Sequence, residues 1–380
     1  MDPMRPIDSL SLTQLLASNT ASQAPKAAPG DVSIADYHSP KGLLSRGFDA
    51  AFMKAMNLVK ECHLKRDQDT FQGDLLSFDE YHSMYDKYMD DPAGLFPDYE
   101  THSPLRMDPI PLKPRISRKH PHRRDFSFQS PKLTEFEQNN TVPFKWFSQA
   151  DNRSDTILLF APGWGRISQS FEEDWSTQLQ SMGVDVGLMT VPYHEERAPE
   201  GTRSGEYWIS SNLFWTIENF LHFIGEIRVM IRQMRQHHKY VGLVGMSSGG
   251  FQTGCVTNVE DVDFYFPIVS GALLGSTVWH GSITTKIKEE LEERGIREEE
   301  VLKLWSVTDQ AFMGHHCRAT HIKQYISLHD RVIPPRFQYS LWEALGKPEK
   351  LELPCAHYSS YFFGKRIVRD MAAFVTSKKQ

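Results

Sequence analysis

The sequence predicts a three-layer α/β fold, in which a mostly parallel sheet is covered by helices on both faces. Three observations predict it. The strand-like runs "TILLF", "VDVGLM" and "YVGLVG" are continuously apolar rather than alternating, as strands buried on both faces require. Segments with helical spacing separate them, and that alternation is the pattern of an α/β domain. Glycine-rich turns follow two of the runs, in "APGWG" and "GMSSGG".

The elements follow in order. Residues 1–40, rich in Ser, Ala, Pro and Gln, carry few large apolar groups to offset the entropy of ordering and read as a flexible tail. Residues 41–112 read as a helical extension. Leu44, Phe48, Phe52, Ala55, Leu58, Val59 and Cys62 recur at helical spacing, and Phe78, Tyr81, Tyr85, Tyr88 and Met89 form a second such face. Residues 113–124, "KPRISRKHPHRR", are a basic connector whose two prolines oppose a regular helix. It is expected to be solvated, with contact to an anionic headgroup or phosphate as the alternative.

The main domain is expected over 125–380. "DFSFQS" and "TVPFKWFSQ" read as a leading antiparallel pair, and "FEEDWSTQLQSMG" as a helix between two buried strands. Between Tyr207 and Met234, the residues Phe214, Ile217, Leu221, Ile224, Ile231 and Met234 make one helical stripe that must cover a sheet face. "VDFYFPIVSG", "HIKQYISLHDRVIPP" and "KLELPCAH" supply later strands, and "GKRIVRDMAAFV" a closing helix. Residues 279–313 are a candidate cap, with Leu291, Ile296, Val301, Leu304 and Trp305 on an apolar face that covers an acyl chain. An exposed packing helix is the alternative.

Composition sets limits on function. The 380 residues are 40% hydrophobic, long enough and apolar enough for a full core. The net charge of −6 gives no indication of nucleic-acid binding. Cys62, Cys255, Cys317 and Cys355 form no Cys-x-x-Cys pair and read as reduced thiols of a cytoplasmic protein. Neither a signal peptide nor an apolar run long enough to cross a membrane is evident, although peripheral membrane contact stays open. Oligomeric state is not indicated.

The chemistry centres on Gly245-Met246-Ser247-Ser248-Gly249, a G-x-S-x-G pentad between an expected strand and an expected helix. A serine on so tight a turn projects its hydroxyl from the sheet edge, and glycines two positions either side remove Cβ atoms that would collide with backbone. A serine hydroxyl needs a base, and the base an orienting acid. Asp330 ends a predicted strand and His357 follows the next, in the chain order Ser, Asp, His. Backbone N–H groups of Trp164 and Ser248 are the candidate donors to a developing oxyanion. His315, His316 and His321 lack a carboxylate or cysteine at convincing ligand spacing, and no metal or organic cofactor is expected.

These motifs resemble the α/β-hydrolase superfamily over about residues 126–375. Pro162-Gly163-Trp164-Gly165 corresponds to that family's His-Gly-x-Gly oxyanion turn, with proline in place of histidine. Within the superfamily, "VPYHEERAPEG", "GMSSGG" and "AHYSSYFF" are similar to fragments of the type-18 abhydrolase-domain proteins: Pro-Tyr-Tyr-Gly-x-Arg-x-Pro, Gly-x-Ser-Met-Gly-Gly and His-x-Ser-x-Tyr. The resemblance implies a lipid-like ester substrate and makes Tyr193 and Arg197 matching positions. They line a pocket or form a rigid turn. With Leu304 and Trp305, they are the expected substrate-pocket residues. The residue chemistry itself supports cleavage of an ester or related acyl bond through an acyl-enzyme. A catalytically silent binding or assembly module, and an acyltransferase with the same triad, are the alternatives.

Overall fold

The computed structural model describes residues 44–45, 47–51, 91–99, 106–149, 154–165 and 168–379. The expected tail, the second helical face of the extension and Cys62 lie outside the described residues. The described part of the first face is helical, but its apolar members face outward: Leu44 is 74% exposed, while Asp49 is buried.

The strands are β1 (Asp108–Ile110), β2 (Arg123–Gln129), β3 (Thr141–Phe147), β4 (Thr156–Ala161), β5 (Asp185–Met189), β6 (Tyr240–Met246), β7 (Phe264–Ile268), β8 (His321–Ser327) and β9 (Glu349–Leu353). They form one sheet in the order β1-β2-β3-β5-β4-β6-β7-β8-β9. The pairs β1–β2, β2–β3 and β3–β5 are antiparallel, and every later pairing is parallel.

The basic segment, expected as a solvated connector, is exposed over most of Lys113–Lys119 and contains a turn of helix. Pro114–Lys119 forms a short helix, α1, with Pro114 in its first turn, where the missing N–H has no role to lose. Beyond it the segment is folded into the domain. The buried Arg123 guanidinium meets Asp125 at 2.6 Å and Glu173 at 3.0 Å, and buried His120 bonds to Thr177.

Burial on both faces follows the two-residue period of a strand. In β4, Ile157, Leu159 and Ala161 join one apolar cluster, and Leu158 and Phe160 join the other. The first face is covered by α3 (Leu213–Arg235) and α4 (Ser248–Thr257), and the second by α2 (Ser170–Ser181) and α10 (Gly364–Lys378). Asn212 caps α3 by accepting the Trp215 N–H, which sets the start of the helix at Leu213 rather than near Tyr207.

Between β7 and β8 the chain inserts α5 (Leu274–His280), α6 (Thr285–Glu293), α7 (Glu298–Trp305) and α8 (Gln310–Met313). The insertion thus begins about five residues before the expected cap. α9 (Pro335–Ala344) joins β8 to β9. Among the described residues, no helix is long and apolar enough to cross a membrane.

Candidate active site

The carboxyl ends of the parallel strands lie along one edge of the sheet, and four loops leaving that edge converge. β6 ends at Met246 and α4 begins at Ser248, so Ser247 alone makes the reversal, with φ 53° and ψ −121°. This is a sparsely populated backbone state for a residue with a Cβ. The Ser247 N–H donates to Ile268 O at 2.9 Å and holds it there.

The glycines of the pentad are sterically required. A Cβ on Gly245 would stand 2.0 Å from Thr253 Oγ1 and 2.6 Å from Gly250 Cα, and one on Gly249 would stand 2.3 Å from the Ala161 carbonyl oxygen.

Ser247 Oγ lies 2.9 Å from His357 Nε2, and His357 Nδ1 lies 2.7 Å from Asp330 Oδ2. The carboxylate can only accept from Nδ1–H, so Nε2 is the lone-pair nitrogen and accepts from the serine hydroxyl. Asp330 is itself fixed. Its Oδ1 accepts the N–H groups of Val332 and Ile333 at 2.8 and 2.9 Å, and its Oδ2 accepts Gln338 Nε2 at 3.1 Å. Asp330 and His357 are buried. The neighbouring thiol of Cys355 is no rival nucleophile, because burial pushes its pKa up to about 12.

The turn after β4 passes directly over the serine, since a Cβ on Gly163 would come 3.1 Å from Ser247 Cβ. Trp164 Nε1 donates to Gly205 O at 2.7 Å, and the Gly165 N–H donates to His194 Nε2 at 3.0 Å. Ser248 is the first residue of α4, so its N–H has no intrahelical acceptor. Its hydroxyl accepts Trp208 Nε1 at 3.0 Å, tying the start of the helix to a fully buried indole.

A cavity of about 50 Å³ opens beside Ser247, lined by Trp164, Ser248 and His357 and walled by Leu274, Val278, Ile283 and Val332.

The structure thus brings Ser247, Asp330, His357, Trp164 and Ser248 together. It does not bring the four expected pocket residues to them. Arg197 is fully buried, with Nη1 and Nη2 each 2.7 Å from the Glu226 carboxylate and further bonds to the Asn139 and Thr190 carbonyls. Tyr193 packs among Phe136, Tyr207 and Trp215 beside a separate cavity of about 290 Å³. Its φ of 62° marks the rigid turn that was the other reading of this segment.

Leu304 and Trp305 are buried in the first apolar cluster, and Trp305 Nε1 donates to Leu213 O. Neither lines the cavity beside Ser247. The amphipathic period of α7 reported its packing against the domain, and the cavity is instead bordered by α5 and the residues after it. The His315 and His316 rings lie against one another, tilted by 39° with centroids 4.0 Å apart, while His321 lies against Phe264. Among the described residues, no group of three or more His, Cys, Asp or Glu side chains is placed to hold a metal ion.

Sequence reasoning missed His194, Gln338 and Asp49, each of which supports one of the converging loops. His194 had a weak local signal, as the residue standing where the type-18 fragment has tyrosine. Gln338 lies only eight positions from Asp330 but belongs to no motif, and Asp49 acts across more than 300 positions, so neither has such a signal.

No protein-family profile matches the chain. The uncharacterised protein YdjC of Bacillus subtilis (strain 168) is 26% identical over 105 residues, 28% of this chain and 90% of that protein. Among solved structures, acetyl xylan esterase 1 from Thermoanaerobacterium sp. JW/SL YS485 superposes with a TM-score of 0.55 at 14% identity, covering 80% of this chain and 99% of that one. An acetyl xylan esterase from Paenibacillus sp. R4 superposes with a TM-score of 0.54 at 14% identity, covering 77% and 94%. At such identities the likeness is one of fold, and the chain has the three-layer α/β-hydrolase fold.

Proposed function

We propose that the chain is a serine hydrolase that cleaves a carboxylic ester through an acyl-enzyme. The observation that carries this reading is the unbroken chain from Ser247 Oγ through the His357 ring to Asp330, at 2.9 and 2.7 Å. In the proposed reaction, Ser247 Oγ attacks the ester carbonyl carbon while His357 Nε2 takes its proton. Asp330 holds the ring in the required tautomer and stabilises the imidazolium. The tetrahedral oxyanion is met by the N–H groups of Ser248 and Trp164. His357 then returns the proton to the departing alcohol, and a water molecule deprotonated by the same nitrogen releases the acid.

The cavity favours a short acyl group. Only about 50 Å³ there is open to the centre of a water molecule, between the close walls of Leu274, Val278, Ile283 and Val332. The similarity of three sequence fragments to the type-18 abhydrolase-domain proteins favours a lipid-like ester instead. A series of p-nitrophenyl esters from acetyl to palmitoyl separates the two.

The reading itself is tested by a fluorophosphonate probe. Covalent capture of the folded wild type at Ser247, lost in Ser247→Ala, is the expected result. A folded wild type that neither reacts with the probe nor turns over any ester of the series would leave the binding-module reading in its place.

A further inference from the structure

The described residues 47–51 belong to the helical segment that precedes the α/β domain, yet one of them reaches the catalytic loop. Asp49 is 3% exposed. Its Oδ2 accepts the Tyr358 N–H at 3.1 Å and its Oδ1 accepts the Ser359 N–H at 3.0 Å. Those are the two residues that directly follow His357.

The need for this contact follows from the local structure. Tyr358–Phe363 is a short 3-10 helix, and His357 occupies the position before it. A residue in that position ordinarily turns a short polar side chain back to accept the first free N–H groups. His357 makes no such bond, because its ring is committed to Ser247 on one side and Asp330 on the other. A histidine that capped its own helix could not complete the relay. The cap is therefore supplied from more than 300 positions away, by a carboxylate whose two oxygens take one N–H each.

Further contacts fix the same turn. The Ala356 N–H donates to Ser359 Oγ at 2.9 Å, and Ser360 Oγ donates to the His357 carbonyl at 2.6 Å. Phe48 packs edge-to-face on Phe362 with ring centroids 5.0 Å apart. The Asp49 carboxyl also feels the site: burial raises its pKa, while the two N–H groups and the charge of a protonated His357 lower it.

We infer that Asp49 is a positioning residue for the active site, holding the His357 loop in register with Ser247 and Asp330, so that the segment before the α/β domain completes the reactive geometry. This rests on the serine-hydrolase reading. Asp49 touches no reacting atom and acts through the backbone of Tyr358 and Ser359.

The test uses the full chain with Asp49→Ala and Asp49→Asn, after melting curves show that both fold. Two readouts are taken: amide hydrogen exchange of residues 354–363, and the rate of fluorophosphonate labelling at Ser247 alongside kcat and KM for a short ester. Asp49→Ala is expected to speed exchange at Tyr358 and Ser359 and to lower kcat and the labelling rate together by about tenfold or more, with KM within about twofold. That is the order expected when hydrogen bonds to a charged group are lost. Asp49→Asn keeps one acceptor oxygen and should fall between Asp49→Ala and wild type.

A reactive wild type with a folded Asp49→Ala of equal labelling rate and kcat would overturn the inference and leave the hydrolase reading standing. A wild type inert to probe and esters would overturn both.

Discussion

His194 accepts the Gly165 N–H through Nε2 at 3.0 Å and donates through Nδ1 to the Pro192 carbonyl at 2.8 Å. One neutral ring thus pins the turn that carries Trp164 to the loop after β5. Gly205 completes the seat: a Cβ there would stand 2.6 Å from His194 Nε2, and its carbonyl accepts the Trp164 indole N–H. The backbone at Trp164, a proposed oxyanion donor, is therefore held from both sides.

Replacing His194 by Ala frees the Gly165 N–H and loosens the turn. The expected outcome is a fall in kcat of at least about tenfold with KM little changed. That is less than the 10²- to 10³-fold associated with outright loss of an oxyanion donor. Steady-state kinetics on an acetyl ester check this. An unchanged kcat in folded His194→Ala would detach His194 from the oxyanion turn.

Ser247 and His357 are proposed to act as one unit, so their effects should not add. Ser247→Ala and His357→Ala are each expected to lower kcat by at least about 10³-fold, and the double variant by about the same factor as either alone. Full multiplicativity in the double variant would mean that the 2.9 Å contact between them is not used in the reaction.

Much of this arrangement was legible in the sequence because it is written in local pattern. The strands β4, β5 and β6 are short apolar runs, β4 and β6 closed by glycine turns, and the spacing around Ser247 encodes the collisions that Gly245 and Gly249 avoid. Asp330 and His357 could be placed because each follows the end of a strand, so the parallel topology alone brings them to the edge where Ser247 emerges. The pocket was not legible. An apolar face on α7 has the same period whether it meets a substrate or another helix, and Leu304 and Trp305 meet the core. Arg197 enters the expected pocket only through the type-18 resemblance, and its partner, Glu226, lies 29 positions away on α3, with no local signal to join them. The basic run at 113–124 reads as solvated throughout, and nothing local marks Arg123 for burial, because Glu173, one of its two acids, lies 50 positions away on α2.

The cavity wall gives a chain-length prediction. Ile283 and Val332 border the space beside Ser247, whereas Leu304 and Trp305 do not. Ile283→Ala and Val332→Ala should raise kcat/KM for hexanoyl and octanoyl esters relative to acetyl, by several-fold per substitution, since each buried methylene is worth about 0.8 kcal/mol. Leu304→Ala and Trp305→Ala should leave that ratio unchanged and instead lower stability by about 2–5 kcal/mol, as buried large-to-small replacements do. Urea unfolding and the p-nitrophenyl series measure both. A ratio that moved with Trp305 would return the helix α7 to the pocket.

The buried ion pair gives a prediction in pH. Burial by itself would raise the Glu226 pKa, but the Arg197 guanidinium and His222, whose Nε2 lies 3.0 Å away, outweigh it and hold the carboxyl down at about 2, against 4.5 for a free glutamate. Because the folded-state value is the lower one, the stabilisation is present in full above about pH 4.5 and is lost as the pH falls from there through about 2. Glu226→Gln leaves the Arg197 charge buried without its counter-ion and should cost about 3–5 kcal/mol near neutral pH, whereas Arg197→Met combined with Glu226→Leu should recover most of that loss. Urea midpoints of wild type and Glu226→Gln, compared at neutral pH and in steps down to about pH 3, should differ by a constant amount above about pH 4.5 and converge below it. A gap that stayed the same down to pH 3 would assign the cost of Glu226→Gln to lost packing around Asn139 and Thr190, and not to the missing charge.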